Sequence, residues 1–483
     1  MKGRAFVFLA VACAVTSVWA DFDVYLLRHG ETSWNRAKIL QGSVSYTELT
    51  PRGVRMAEET AAGMKAAGLR FDRIYASPYR RAWRTAEIVS SRLGGAPVAD
   101  WRLREMCFGR YEGVRYSKDR WPDENLRCFF EDPGRYVPQG EGAESFPAVG
   151  CRLREFLERE LVPLDGKVER ILCVAHSLVL KSVLRELFGE DVPEDAKRAI
   201  QRNCCVHVLR YANGRFTLKE TGRVFYDPRG FDSLPKVRTV AHRGAGDLEM
   251  PEASRPAYSN AVTTVSDIVK LDLQKTKDGC VVLSHDHDLK RSMGWDKPIY
   301  KLAYQDIFTN RCFRPVGGYA RERIVRLDEA LRIVRPIPEI WLDFKQFSPD
   351  FAEKVLEEVR RAEIDFSRLM VATFSKKALE YFRDRHPEIR RVGHVKAGKS
   401  REEVLAFRDE LKLFGVNVPV SRRQTSVADI SFLHENGLWV ALWFVQTEQI
   451  AAEYRDSGAD AFVTDHVTRI RKVLDGDGLG HTP

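Results

Sequence analysis

Asp23-Val24-Tyr25-Leu26-Leu27-Arg28-His29-Gly30 is an apolar run closed by an arginine, a histidine and a glycine. A run of this length and composition reads as a buried strand, with its polar residues delivered to the edge of a sheet. The same pattern returns at Ile171 to His176, at Thr239-Val240-Ala241-His242 and at Trp341-Leu342-Asp343. Helical stretches separate these runs. Thr50-Pro51 opens one, with a cap and a proline at the first helical position, ending near Gly68; Ser77-Pro78 opens another through about Leu93. A third runs from about Ala148 to Glu160, and 114–146 reads as a long insertion. Strands alternating with helices specify an α/β protein.

The chain has 483 residues, enough for two or three domains, and is 44% hydrophobic and 30% charged. This balance excludes a disordered tail protein, a collagen and a polytopic membrane protein. Lys plus Arg is 77 against 68 Asp plus Glu, spread along the chain without long basic runs. That distribution excludes a dedicated nucleic-acid arm and fits small anionic substrates. Turn residues at Asp227-Pro228-Arg229-Gly230 and Leu234-Pro235 divide the chain. The expected organisation is a first α/β domain over 21–225, a linker over 226–236, a second domain over 237–475 and a tail over 476–483.

Residues 1–20 have the form of a cleaved secretory signal: Lys2 and Arg4, an apolar run from Ala5 to Val15, then Val18-Trp19-Ala20. The expected location is secreted or periplasmic, with no integral membrane segment after cleavage. A lipoprotein anchored through Cys13 is the alternative, since Leu9-Ala10-Val11-Ala12-Cys13 loosely resembles a lipobox. The remaining cysteines show no zinc-type spacing; Cys128 with Cys151 is a candidate loop staple.

The first domain carries one concentrated chemistry. His29 ends a strand, Gly30 permits a tight turn there, and Arg28 offers a planar fork for a phosphate. Arg81 falls in the first turn of a helix, where backbone amides already favour an anion. His176 ends another strand, and Glu105 offers a carboxyl group in mixed apolar surroundings. Arg28-His29-Gly30-Glu31-Thr32-Ser33-Trp34-Asn35, Ser77-Pro78 with Arg81-Ala82 and Thr85-Ala86, Leu103-Arg104-Glu105, and Val174-Ala175-His176 fall in one order. In these motifs residues 22–222 resemble the histidine phosphatase superfamily, with the phosphoglycerate mutase-like α/β sandwich fold. The resemblance implies that His29 takes the phosphoryl group, that Arg28, Arg81 and His176 hold its oxygens, that Asn35 adds a hydrogen bond, and that Glu105 protonates the leaving alkoxide. It implies no cofactor. The chain departs from the family at Ser43-Val44-Ser45, where an acidic turn is common, and at Gly142-Ala143-Glu144-Ser145, which has one residue inserted.

In the second domain nine runs read as strands: 238–242, 267–273, 281–285, 340–344, 369–374, 391–395, 413–419, 438–445 and 460–464. Nine candidates for eight positions predict a (β/α)₈ TIM-type barrel in which the ninth run is either a hairpin strand or no strand at all. Catalytic groups then belong at the carboxyl ends of the strands. His242, Lys270 with Asp272, His285, and Asp343 with Lys345 fall there, the last pairs on one face by period two. Two histidines, two carboxylates and two lysines make a site for phosphate ester chemistry, one histidine as base and the other as acid. Ala241-His242-Arg243-Gly244, Pro251-Glu252, Thr276-Lys277-Asp278-Gly279, His285-Asp286, Trp443 and Val463-Thr464-Asp465 resemble the glycerophosphodiester phosphodiesterase family. The resemblance implies acid–base roles for His242 and His285, a phosphate contact from Arg243, and a divalent cation, calcium or magnesium, near Asp272.

The usual Glu-x-Asp metal pair of that family reads Lys270-Leu271-Asp272 here, and a later Glu-x-Lys reads Asp343-Phe344-Lys345. Three readings follow. The metal moves to Asp272, Asp343 and Glu252; or the Lys270 ammonium stands where the cation stood, with Lys345 beside it on the phosphate; or the barrel binds anions without cleaving them. The sequence lacks a Walker loop, a dinucleotide-binding glycine turn and a Gly-x-Ser-x-Gly elbow. The expected function is an exported bifunctional phosphohydrolase acting on small phosphoesters, phospholipid-derived ones included. The alternative is a single active phosphatase joined to an inactive, anion-binding barrel.

Overall fold

The computed structural model describes residues 21–116, 121–189, 202–228, 237–245, 249–319, 321–420 and 425–475. The expected leader, the linker from 229 and the tail lie outside the described residues.

The first domain is a six-stranded sheet in the order Pro97–Ala99, Arg73–Ala76, Arg170–Ala175, Phe22–Arg28, Val206–Ala212, Arg215–Arg223. The first four run parallel, Val206–Ala212 runs antiparallel to Phe22–Arg28, and Arg215–Arg223 folds back antiparallel to Val206–Ala212 as a hairpin. Period two along Phe22–Arg28 sends Val24 and Leu26 to one face, packed with Leu153 and Val183, and Tyr25 and Leu27 to the other, packed with Met56, Ala61 and Val89. Helices therefore cover both faces: Pro51–Ala66 and Arg80–Leu93 on one, Phe146–Phe156 and Ser177–Phe188 on the other. The sequence reading lacked the strand Val206–Ala212, which contains a wholly buried histidine, His207, and the exposed three-residue edge Pro97–Ala99.

The second domain is a closed parallel barrel. Its strands are Arg238–Ala241, Ile268–Lys275, Glu339–Phe344, Leu369–Thr373, Arg390–His394, Gly415–Pro419, Trp439–Trp443 and Ala461–Thr464; the pairing of Ile268–Lys275 with Glu339–Phe344 completes the ring. The ninth candidate, Val281–Leu283, is an antiparallel hairpin partner of Ile268–Lys275. Val240, Ile268, Trp341, Met370, Val392 and Trp439 fill the interior, and Lys270 and Asp272 follow Ile268 on the same face of their strand.

The first domain sits on the amino-terminal end of the barrel. Trp34 Nε1 donates to the Pro336 carbonyl at 2.8 Å, Arg36 lies 3.7 Å from Asp267, and the Arg115 amide donates to Ser367 Oγ at 3.3 Å. Fully buried Glu339, the first residue of its strand, is ringed by Arg115, by Arg238 at 2.7 Å and by Arg390 at 3.4 Å. The polar residues at the strand carboxyl ends lie at the opposite end. All eight described cysteines are free thiols, so Cys128 and Cys151 form no staple; the first is buried and the second exposed.

Candidate active sites

Strand ends bring the predicted residues of the first domain together. His29 and His176 follow neighbouring parallel strands, and their ring centroids are 5.2 Å apart. The His29 Nδ1–H donates to its own turn, to the Gly30 carbonyl at 2.7 Å, which leaves the lone pair on Nε2. His176 Nε2 shares a hydrogen bond of 2.8 Å with Ser77 Oγ. Arg81 enters from the second position of the helix Arg80–Leu93 and is 1% exposed. It donates to the Gly42 and Val44 carbonyls at 2.8 and 2.6 Å and to Thr47 Oγ1 at 3.2 Å. The divergent Ser43-Val44-Ser45 loop is thus the cradle of Arg81, and Ser43 is stitched to Glu112 through Oγ at 2.8 Å. Gly42 has φ +49°, and a Cβ there would meet the Glu112 carboxylate at 2.2 Å, so the turn requires glycine. Glu105 accepts from the Met106 and Leu178 amides at 3.0 and 3.4 Å. Asn35 accepts from Asn203 Nδ2 at 3.2 Å, and the same amide group donates to the His29 carbonyl at 3.0 Å.

In the barrel, two groups form. His242 Nδ1 bonds Asp465 at 2.9 Å, and Gln446 Nε2 donates to the other oxygen of Asp465 at 2.5 Å. His285 Nδ1 bonds Asp286 at 2.8 Å, and the two imidazole centroids stand 6.4 Å apart. Arg243 donates to Glu252 at 2.5 Å, and Arg291 grips the same carboxylate at 2.5 and 2.8 Å. Below them Lys270 bridges Asp272 and Asp343, at 2.8 Å from the latter; Lys345 bridges the same two carboxylates at 3.1 and 2.8 Å. His394 Nε2 approaches Asp343 at 3.7 Å, and its other nitrogen meets the Asn417 amide at 3.1 Å.

The histidine phosphatase superfamily (branch 1) model matches residues 24–223, and the glycerophosphoryl diester phosphodiesterase family model matches residues 242–469. Over 194 residues the chain is 34% identical to the Proteus mirabilis (strain HI4320) protein described as "Probable phosphoglycerate mutase GpmB", covering 40% of this chain and 86% of that one. The first domain belongs to the histidine phosphatase superfamily, and the barrel fused to it matches the glycerophosphoryl diester phosphodiesterase family model. The 2,3-bisphosphoglycerate-dependent phosphoglycerate mutase of Parvibaculum lavamentivorans is 30% identical over 167 residues, 34% of this chain and 78% of its own. An Oleispira antarctica phosphodiesterase, solved with the product sn-glycerol-3-phosphate, covers 51% of this chain and 99% of its own at 24% identity and a TM-score of 0.43. Both families are phosphoric ester hydrolases, which makes the first domain the phosphatase domain and the second the diesterase barrel.

Burial sets the charge states in the phosphatase domain. It drives His29 and His176 well below the usual histidine range, with Arg81 adding to it. Both rings are therefore neutral at pH 7. Burial also lowers Arg81 to about 10, which keeps its charge, and raises the Glu105 carboxyl. A neutral imidazole with an available lone pair, fixed cations and a carboxylic acid held protonated above its ordinary range are what phosphoryl transfer to and from histidine needs. In the barrel, burial lowers both His242 and His285, against the pull of Asp465 and Asp272 respectively. Burial opposes ionisation of Asp272, but Lys270 and Lys345 outweigh it and hold the carboxyl at about 2.

The diesterase family implies a divalent cation, and the residues present do not fit one. Among the described residues no three His, Cys, Asp or Glu side chains converge as ligands. Asp272 and Asp343 are together, but the Lys270 and Lys345 ammonium groups lie between them, and Glu252 is turned to Arg243 and Arg291. The three carboxylates expected as an alternative ligand set are thus divided between two ion-pair clusters. A hard cation would have to displace an ammonium already in contact with both aspartates.

Sequence reasoning placed the histidines, arginines and lysines and left out what orients them. Ser77, Asp465, Gln446, Arg291 and His394 were absent from the expected site. Asp465 and His394 each lie at or just beyond the end of a barrel strand, so position offered a signal for both. Gln446 sits on a loop and Arg291 in the four-residue helix Lys290–Met293, away from any strand end, and neither gave one.

Proposed function

We propose that the chain is an exported bifunctional phosphohydrolase, cleaving a phosphodiester of the glycerophosphodiester type in the barrel and a phosphomonoester in the phosphatase domain. The observation that carries the reading is the His29 tautomer, fixed by the Gly30 carbonyl at 2.7 Å beside a second neutral histidine. His29 Nε2 attacks phosphorus as the ester bond breaks. Glu105 gives its proton to the departing alkoxide, and Arg28, Arg81, His176 and Asn35 hold the phosphoryl oxygens. Water, giving its proton to the Glu105 carboxylate, then breaks the phosphorus–nitrogen bond and restores both groups. In the barrel, one of His242 and His285 takes the proton of the attacking oxygen, and the other protonates the leaving one. Arg243, Lys270 and Lys345 supply positive charge in place of a metal.

A second reading has the barrel bind phosphoanions without cleaving them. The pairing of two lysines with two aspartates favours it, because the cluster carries no net charge to set against a developing dianion. Purified protein assayed on a simple phosphodiester with and without chelator separates the two: turnover that survives chelation supports the first, and no turnover under any condition supports the second. Substrates are small phosphoesters, phospholipid-derived ones included. If the barrel releases glycerol 3-phosphate, the phosphatase domain is suited to take phosphate from it. No described helix is long and apolar enough to cross a membrane. Export rests on the residues 1–20 pattern, and an exported mature chain starting at Asp21 is the expected observation.

A further inference from the structure

Trp34 is 1% exposed, yet it belongs to neither apolar cluster of the phosphatase domain. Its indole lies in the seam between the domains. Nε1 donates to the Pro336 carbonyl at 2.8 Å, and the Arg368 guanidinium covers the ring with its carbon 5.0 Å from the centroid. Arg368 is itself held tightly, donating to the Arg335 and Ile337 carbonyls at 2.6 Å each and to the Pro338 carbonyl at 3.2 Å. Pro336 and Arg368 belong to the barrel base, at the far end from His242 and His285.

Trp34 is also the second residue of the five-residue helix Ser33–Ala37, which begins four positions after His29. A helix this short has little stability of its own. Asn35 is its next residue, and Arg36 reaches across the seam to Asp267 while also approaching Glu31, each at 3.7 Å. A second segment leans on the same place. Tyr46, in the loop whose carbonyls hold Arg81, meets Trp34 edge-on at 6.2 Å with Arg335 and Arg368 beside it. Both the Asn35 turn and the Arg81 cradle therefore end on barrel residues.

We infer that the barrel base is a working part of the phosphatase site: Trp34 and Arg368 are positioning residues that set Asn35 and the Arg81 cradle, so phosphoanion binding in the first domain depends on the seam. The inference rests on the phosphatase reading of that pocket. Linkage makes it reciprocal, since an anion that favours the ordered pocket must also favour the closed seam.

Hydrogen exchange on the intact chain, with and without orthovanadate as the phosphoryl probe, tests this without any substitution. Vanadate is expected to slow exchange about fivefold or more, the lower range of measured couplings, in 28–47 and also in barrel segments 335–338 and 365–369. The far rim, 285–291, is expected to stay unchanged. Slowing confined to 28–47 overturns the inference while leaving the phosphatase reading intact. Slowing in neither place overturns the phosphatase reading and the inference with it. As a second arm, Arg368→Met is expected to weaken vanadate binding about fivefold or more, with Arg368→Lys recovering most of it. Equal affinity in wild type and folded Arg368→Met overturns the inference. Should that variant fail to fold, the exchange experiment decides.

Discussion

Replacing Lys270 by glutamate converts a neutral cluster into one with three carboxylates and one ammonium. Lys270 is 5% exposed and contacts both Asp272 and Asp343, themselves almost wholly buried. Removing one partner of a buried ion pair costs about 3–5 kcal/mol. At roughly 2–4 °C per kcal/mol for a domain of the barrel's size, Lys270→Glu in chelator should melt roughly 6–20 °C below wild type. The variant also rebuilds a Glu-x-Asp pair beside Asp343, the oxygen-rich set a hard cation prefers. Calcium at about a hundred times its dissociation constant would return about 2.7 kcal/mol. Scanning calorimetry of both proteins in chelator and in calcium or magnesium measures each quantity. The expected pattern is a variant that is destabilised and metal-responsive beside a wild type that is neither. A wild type stabilised by metal as much as the variant, or one whose diesterase activity disappears on chelation and returns with metal, would refute the ammonium reading.

His29→Ala should abolish monoester hydrolysis and any acid-labile phosphoenzyme; a variant that still accumulates phosphoenzyme removes His29 as nucleophile. Glu105→Gln should slow alkyl phosphates about a hundredfold more than aryl phosphates, whose leaving groups need no proton; equal losses would make Glu105 structural. Because burial raises the Glu105 carboxyl, wild-type turnover on alkyl phosphates should fall as pH rises through that raised value. Burial opposes the charge of Glu339, but Arg238, Arg390 and Arg115 win and lower its carboxyl from 4.5 to about 2. A depressed carboxyl stabilises above its unfolded value and loses that contribution as pH falls toward the folded one, here roughly 3 kcal/mol. The stability curves of wild type and Glu339→Gln should therefore converge in acid, and a gap independent of pH would contradict the assignment. The exported protein should have the mass of a chain starting at Asp21; a lipid-modified Cys13 at its start would indicate the anchored alternative.

What the sequence made legible was periodicity and what it hid was contact between distant segments. Lys270 and Asp272, or Asp343 and Lys345, share a face because they lie two apart on strands, so their convergence was readable before any coordinates. The division of the carboxylates was not: Glu252 and Asp272 are equally plausible ligands in sequence, and the approach of Arg243 and of Arg291, from the short helix Lys290–Met293 beyond the hairpin, turns Glu252 away. Val206–Ala212 does not read as an apolar strand because His207 and Arg210 both interrupt it. Trp34 read as part of a phosphatase motif; nothing local announces that its indole hydrogen bond goes to residue 336. Seam contacts of that kind join positions about three hundred residues apart, where periodicity carries no information.

Attachment at the closed end of the barrel leaves the open rim clear. His242 and His285 lie at that rim, where Phe374, 51% exposed, stands 4.8 Å from the His394 ring, and the seam contacts among the described residues are at the opposite end. A phosphodiester displayed on a bulky aggregate, such as a micelle or a membrane sheet, can thus meet that rim without the phosphatase domain obstructing the approach. The cost appears downstream. On the proposed function, a monoester released at the rim would travel around the outside of the molecule to reach the other site, and a bystander phosphatase could intercept it on the way. If both sites act as proposed, fusion in this geometry fixes the ratio and the address of the two activities, one to one and always together, and leaves any shared intermediate in the common pool.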